Sequence, residues 1–250
     1  MPKRKSGFYD TIEYIGPRPQ KKPKRQHGFG GWVILAIAAG MGFWFGKPLM
    51  NAAPVDASPE QAGALIHMLE NSSIPGDRLA AAALAHSTED VMYDPAYYMI
   101  DYPGGDVPPN KGVAADVVVR SFRQLGIDLQ KNVHEDMARD FRLYPQLWNA
   151  PGPDTNIDHR RVPNLQRYFM RHGETLGNNR SPEEYQPGDI VVWAIANAET
   201  HIGIVVPGPG DLVSERWVVH NMGAGVVWEN TLFDYQILGH YRYPKSAAAE

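Results

Sequence analysis

Residues 185–206, YQPGDIVVWAIANAETHIGIVV, contain two short apolar runs separated by a polar segment. Pro187 and Gly188 predict a turn, after which Asp189 leads a buried strand. The polar segment predicts a hairpin, and His201 opens the next strand. This pattern indicates that the second half of the chain forms an antiparallel sheet.

Short apolar runs of the same kind continue to the end of the chain. They predict five strands: DIVVWAI (189–195), HIGIVV (201–206), RWVVHNM (216–222), AGVVWEN (224–230) and ILGHYRY (237–243). Helical signals come before them, beginning with Ser58, Pro59 and Glu60 as N-cap, first-turn proline and first-turn acid. Periodicity and composition predict helices near 59–71, 77–87, 113–125, 134–144 and 163–173. Because helices precede an antiparallel sheet, the predicted class is α+β.

The N-terminal region differs from the rest of the chain in charge and hydropathy. Residues 1–27 form a basic tail with eight Lys or Arg side chains, and residues 28–47 contain an uncharged run of 19 residues, from 28 to 46. That run is long enough to span a membrane as a helix, and the basic tail places the N-terminus in the cytoplasm. The expected organisation is a single-pass inner-membrane anchor, a linker over 48–58 and a periplasmic domain over 59–250. A cleaved signal peptide and a buried core helix are the alternatives.

The charge balance of the domain argues against nucleic-acid binding. From residue 48 onward, 26 acidic side chains outnumber 15 basic ones. The basic residues are therefore a tail and not a binding face of the domain. The absence of cysteine leaves the compartment open, because disulfides are optional in a domain of this size.

Two histidines in the predicted sheet stand out. His201 occupies a strand position where an apolar residue is usual, and a buried imidazole must find hydrogen-bond partners. Gly203, two residues later on the same face, would leave open space for a substrate backbone. His220 ends a later strand, where it can lie beside His201. These positions predict a cleft with paired imidazoles.

This arrangement resembles the cell-wall cysteine peptidases of the NlpC type, a papain-like superfamily that cuts peptidoglycan stem peptides. The strings YDPAYYMIDYPGGDVP, NIDHRRVPNL and LGHYRYP further resemble a Gram-negative branch long labelled a domain of unknown function, over about 90–244. The resemblance implies a papain-like fold with a cysteine nucleophile at a helix N-terminus, a histidine base and a polar orienting residue. His201 takes the base position and His220 the orienting position.

The nucleophile position falls on Ala114, in GVAADVVVRSF (112–122), and the chain has no cysteine. Ala115 stands where the branch usually has threonine. A methyl group cannot attack a carbonyl, so the expected function is binding of cell-wall peptide without cysteine catalysis. Asp116, Gly203 and Asn221 are the expected binding residues. The alternatives are an active envelope amidase or endopeptidase whose cysteine was replaced by engineering, and a docking scaffold for another envelope protein.

A different chemistry in the same cleft is a further alternative. Its candidates are acidic and imidazole side chains: His134, Glu135, Asp136, Asp154, Asp158 and His159, together with His201 and His220. The segment DTNIDHRR gathers several of them, although such residues also stabilise turns, and Arg160 and Arg161 suggest ion pairs that hold the loop. Since no metal-ligand spacing is present, we expect neither a metal nor a cofactor. The expected partners are a peptidoglycan stem peptide or related peptide, the inner membrane and a possible envelope protein.

Overall fold

The structure is a computed structural model that describes residues 59–196, 199–210 and 215–244. The predicted tail, anchor and linker at 1–58 lie outside the described residues. Within the described ranges, no helix has the length and apolar character needed to cross a membrane.

The helices come first along the chain. They are α1 (Pro59–Glu70), α2 (Pro75–His86), α3 (Ala114–Gln124), α4 (Leu129–Asp140) and α5 (Val162–His172), with short 3-10 turns at Phe141–Leu143, Asp158–Arg160 and Pro182–Glu184. Helix α4 begins five residues before its predicted start because the Asp128 side chain accepts a hydrogen bond from the Lys131 amide at 3.3 Å. It ends four residues early, at Asp140, where the 3-10 turn Phe141–Leu143 follows. The boundaries of the other four helices lie within about two residues of the predictions.

Six of the eight described strands belong to one antiparallel sheet, in which the spatial order of the strands differs from their order along the chain. The strands are β1 (Met92–Tyr93), β2 (Lys111–Gly112), β3 (Glu174–Thr175), β4 (Ile190–Ala194), β5 (Thr200–Pro207), β6 (Arg216–Asn221), β7 (Val226–Glu229) and β8 (Gln236–Arg242). The sheet order is β3-β8-β4-β5-β6-β7, with every neighbouring pair antiparallel. The predicted α+β class, with helices followed by an antiparallel sheet, is confirmed.

The segment 92–112, which is rich in proline and glycine, contains one short pair of strands. Strands β1 and β2, at its two ends, pair in parallel through Met92 with Lys111 and Tyr93 with Gly112. The loop between them leads back to the N-terminus of α3, because only Val113 separates the end of β2 from Ala114. This pairing therefore holds the start of α3 in place.

Alternation along the strands gives the sheet two buried faces. On the helical face, Ile202 and Ile204 of β5 share a core with Phe122 of α3 and Phe169 of α5. On the other face, Val191, Trp193 and Val205 pack with Tyr185 and Leu232. Burying each large apolar side chain contributes about 1.5–3 kcal/mol, so both faces stabilise the sheet.

Asp189 begins the strand predicted after the Pro187–Gly188 turn. Its buried carboxylate connects this turn to β8. Its carboxylate accepts hydrogen bonds from His240 Nε2 at 2.7 Å and from Arg242 Nε at 2.7 Å, both on β8. It also accepts one from the Gln186 amide at 2.8 Å. An acid at this position therefore fixes the turn and the β4–β8 pairing together.

Candidate functional site

Three side chains on neighbouring strands form a hydrogen-bonded line. His201 Nε2 of β5 lies 3.1 Å from His220 Nδ1 of β6, and His220 Nε2 lies 2.8 Å from Glu229 Oε1 of β7. Thr231 Oγ1 is 3.4 Å from the same His220 nitrogen. The structure thus brings together the two predicted imidazoles and adds a carboxylate behind them.

One choice of tautomers fits the contacts of this line. The hydrogen bond from His220 lowers the pKa of Glu229, so the carboxylate accepts and His220 Nε2 donates. In the tautomer in which Nε2 carries the only proton of the His220 ring, His220 Nδ1 accepts and His201 Nε2 donates to it. His201 Nδ1 is left as an unprotonated lone pair. We call His201, His220 and Glu229 the imidazole line.

Burial keeps His201 neutral. Its side chain is only 6% exposed, and this burial, followed by the nearby His220, lowers the pKa of His201 to about 3. Trp193 stacks on the ring, with centroids 6.0 Å apart and planes at 28°. At neutral pH His201 is therefore a well-packed, uncharged base.

The imidazole line ends at a cleft of about 590 Å³. Ala114 and Ala115, the first residues of α3, line this cleft together with His201 and Asn221. Its other lining residues are Tyr93, Pro95, Val113, Leu147, Trp148, Ile157, Arg160, Arg161, Val162, Pro163, Ile195, Glu199, Thr200 and Met222. A helix N-terminus and a neutral base therefore line one cavity, and a methyl group stands at the helix start.

Asp116, predicted to bind ligand, lies behind the cleft and is 2% exposed. It accepts a hydrogen bond from the Val113 amide at 2.7 Å and from Arg160 Nε and Nη2 at 2.8 and 3.0 Å. Arg160 also donates to the Ala96 carbonyl at 2.7 Å. Asp116 thus caps α3 and anchors the arginine, and it does not line the cleft.

Gly203 differs from the expectation of open space beside it. A Cβ at this position would lie 3.1 Å from the Trp193 ring and 3.0 Å from the Val219 carbonyl oxygen. The missing side chain therefore makes room for the indole that packs on His201, and not for a ligand. The sequence shows the small residue but not which neighbour fills the space.

Asn221 does line the cleft, and its polar atoms are used internally. Its Nδ2 donates to the Gly112 carbonyl at 3.2 Å, and its Oδ1 accepts from the Gly223 amide at 3.1 Å. The side chain therefore ties the end of β6 to β2, next to the start of α3. This contact helps to hold the helix terminus beside the sheet.

The candidates for a different chemistry lie apart from the imidazole line. Asp158 is 3.5 Å from His134, Asp136 bonds to Arg171 and Tyr144, and burial lowers the pKa of His159 to about 4. None of the six side chains at 134–136, 154, 158 and 159 is among the residues that line the cleft. Most of them hold loops and helices in position, as Asp136 does between α4 and α5.

Two parts of the site had no assigned role in the sequence. Glu229 follows a tryptophan in an ordinary alternating strand, so nothing in its neighbourhood marks it. Arg161 stands over the Trp148 ring, 4.1 Å from its centroid, and both line the cleft. The pair Arg160 and Arg161 was visible in the sequence, but only the fold shows that both line the cleft, Arg160 in a buried ion pair with Asp116 and Arg161 over the Trp148 ring.

Comparison with known proteins places the chain in a family. Residues 80–243 match the family model described as "Domain of unknown function (DUF1287)". The chain belongs to this family. The predicted resemblance to a domain of unknown function is thereby confirmed, and the matched residues include the imidazole line and the start of α3.

Two similar proteins add to this result. "Uncharacterized protein YijF" of Escherichia coli (strain K12) is 45% identical over 186 residues, which cover 74% of this chain and 89% of that protein. The solved chain "Structure of NlpC1 from Trichomonas vaginalis" is 16% identical, with a TM-score of 0.40. That match covers 69% of this chain and 45% of the solved chain.

Proposed function

We propose that the domain has an NlpC-type papain-like fold and binds a cell-wall peptide in its cleft without cysteine-dependent hydrolysis. The observation that carries this proposal is the placement of Ala114 at a helix N-terminus that shares a cleft with His201. In a cysteine hydrolase this arrangement would join a thiolate to its base. Here the base and its supporting residues are present and the reactive atom is absent.

The cleft has the composition of a peptide-binding site. Its volume of about 590 Å³ lies in the range typical of ligand pockets. Apolar side chains of Tyr93, Leu147 and Trp148 contribute to the lining, and Arg161 and Glu199 add one charge of each sign. A peptide presents apolar, cationic and anionic groups together, and this lining offers a partner for each.

The lining hydroxyls do not replace the missing nucleophile. Tyr93 ends β1 and Thr200 begins β5, so neither lies on the first turn of α3. A nucleophile on that turn gains from the helix dipole, which favours an anion there. The proposed role is therefore recognition of the peptide, not its cleavage.

We further propose that the domain is held at the periplasmic face of the inner membrane by residues 28–47. The basic tail and the uncharged run support this orientation. Peptidoglycan peptides are found on that side of the membrane. The proposed location and the proposed ligand are therefore consistent with each other.

Calorimetric titration of the full-length chain in detergent with a purified stem tetrapeptide tests the proposal. We expect saturable binding that His201→Ala weakens by about tenfold, because a buried hydrogen-bond partner is lost. His67→Ala is the matched control, since His67 is an exposed imidazole of α1, and it should leave the affinity unchanged.

Absence of binding to any stem peptide would contradict the proposal. It would favour a docking scaffold instead, for which the exposed apolar residues of the β1–β2 loop, such as Met99 at 88% exposure, provide a surface. Cleavage of the peptide by the unmodified chain would contradict the non-hydrolytic part alone.

A further inference from the structure

Two backbone donors at the start of α3 are unused within the structure. The N–H groups of Ala114 and Ala115 precede the first possible intrahelical hydrogen bond, and neither donates to any residue that the structure describes. Both residues line the cleft. The helix has 11 residues, so its N-terminus carries the partial positive charge of a macrodipole.

The local acid does not neutralise this terminus. Asp116 lies on the first turn of α3, but its oxygens are occupied by the Val113 amide and by Arg160. The buried pair of Asp116 and Arg160 is neutral as a unit. Ala114 lines the cleft and is 4% exposed, whereas Ala115 is fully buried. Neither N–H group is paired with an anion from the first turn of the helix.

An independent observation points to a ligand at the same place. His201 is 94% buried, and its Nε2 is engaged by His220. Its Nδ1 has no partner among the described residues, although the ring lines the cleft beside Ala114. A buried imidazole with one satisfied and one free nitrogen is suited to a hydrogen bond from outside the chain.

We propose that the cleft binds the free carboxylate of a peptide at the N-terminus of α3, with a proton taken up between that carboxylate and His201. This inference rests on the proposed function and names the chemistry of the ligand group that the site takes. One carboxylate oxygen accepts from the N–H group of Ala114. The other shares the added proton with His201 Nδ1.

The small side chain at position 114 is what this binding mode needs. A cysteine there would place its own anion over the helix terminus and beside the imidazole. The alanine methyl leaves that position to an anion that the ligand supplies. The site would thus select an anionic ligand group in place of a reactive thiolate.

The charges around His201 set the direction of the pH dependence. The charged or titratable groups that contact His201 or its partner, or that line the cleft with it, are His220, Glu229, Glu199, Arg160 and Arg161. Asp116 lies behind the cleft, paired with Arg160. Burial and His220 keep the free imidazole neutral at pH 7. A bound carboxylate favours the protonated form, so binding raises the pKa of His201 and takes up a proton. Affinity for a carboxylate should therefore rise as the pH falls.

Two probes separate this inference from the proposed function. They are a stem tetrapeptide with a free terminal carboxylate and the same peptide with a terminal amide, titrated against the full-length chain in detergent. We expect the carboxylate form to bind about tenfold more tightly. We also expect its affinity to increase several-fold between about pH 8 and pH 5.5, a range above the usual carboxyl pKa, while the amide form shows no such change.

Variants at the two contact points test the geometry. Ala114→Asp places a carboxylate on the helix terminus within the chain, so it should abolish the preference for the carboxylate peptide. Ala114→Gly adds neither charge nor volume at the helix start and should retain the preference. His201→Asn keeps a hydrogen-bonding group but does not titrate, so the pH dependence should disappear.

Equal affinities for the two peptides would overturn this inference and leave the proposed function intact. Failure of both peptides to bind would overturn both. A preference for the carboxylate that persists in Ala114→Asp would place the anion elsewhere in the cleft and would also overturn the inference. If both variants at position 114 fail to fold, the pH dependence of carboxylate-peptide binding to the unmodified chain still tests the inference. An affinity that does not rise as the pH falls would overturn it.

Discussion

In the family of cysteine peptidases that the chain resembles, the nucleophile occupies the position of Ala114. Introducing a thiol there tests whether the cleft can activate it. We expect Ala114→Cys to react with iodoacetamide faster than an ordinary thiol, with a pH midpoint below about 8.5. The helix N-terminus favours the thiolate, and His201 Nδ1 is available to accept the proton. The rate of alkylation, followed by mass spectrometry across pH, measures this effect.

The chain has no native cysteine, so each variant carries one thiol. Ala138→Cys is a suitable control because Ala138 is an exposed residue in the second half of α4. Adding His201→Ala to the Ala114→Cys variant should shift its midpoint toward that of the control, and the difference that remains is the contribution of the helix N-terminus. Identical midpoints in Ala114→Cys and Ala138→Cys would mean that the cleft does not activate a thiol at this position.

At the residue scale, the sequence predicts side chains that violate a local pattern. His201 and His220 are identifiable because imidazoles interrupt apolar strands. Glu229 is not identifiable in this way, because a carboxylate at the end of a short strand is ordinary and only the β6–β7 register brings it to His220. The side chain of Ala114 has no functional group that would indicate a site. Its position is informative only because the chain resembles a family that has a cysteine there.

At the element scale, the turn before β4 and the start of α2 fit together through two glycines. Gly188 has φ +84°, and a Cβ there would lie 2.2 Å from the Gly76 carbonyl oxygen. Gly188→Ala should therefore lower the free energy of unfolding by about 3 kcal/mol or more, from left-handed backbone strain and steric overlap together. Chemical denaturation of the full-length chain in detergent, followed by tryptophan fluorescence, measures the change.

Gly63→Ala provides the contrasting control within α1. A Cβ at Gly63 meets nothing within 4 Å, and alanine is the better helix former, so stability should rise by about 0.5–1 kcal/mol. A Gly188→Ala variant as stable as the unmodified chain would show that α2 and the turn can separate without loss.

The positions of helices and strands can be predicted from the sequence where the repeat of apolar residues extends over several turns or several alternations. The helices α1, α3 and α5 carry three turns of pattern or a proline near the start, and their predicted bounds match closely. Strands β1, β2 and β3 have two residues each, too few to show alternation. Their pairing depends on partners distant in sequence, which no local pattern specifies.

At the scale of the whole molecule, the topology proposal predicts where the C-terminus lies. A reporter enzyme that is active only in the periplasm, fused after Glu250, should be active, because the basic tail retains the N-terminus in the cytoplasm. A reporter active only in the cytoplasm, fused at the same position, is the reciprocal control and should be silent. The reverse pattern would remove the argument for access to the cell wall.

The order of the sheet also bears on how copies of this chain behave when crowded together. The two edge strands, β3 and β7, have only two and four residues, and each carries a glutamate, Glu174 or Glu229. Short, charged edges offer little template for strand addition between chains. The apolar strands β4, β5 and β6, which could nucleate fibrils if exposed, are all interior to the sheet. Among the described residues, pairing between copies through β4, β5 or β6 therefore requires prior unfolding, and not merely collision of folded molecules.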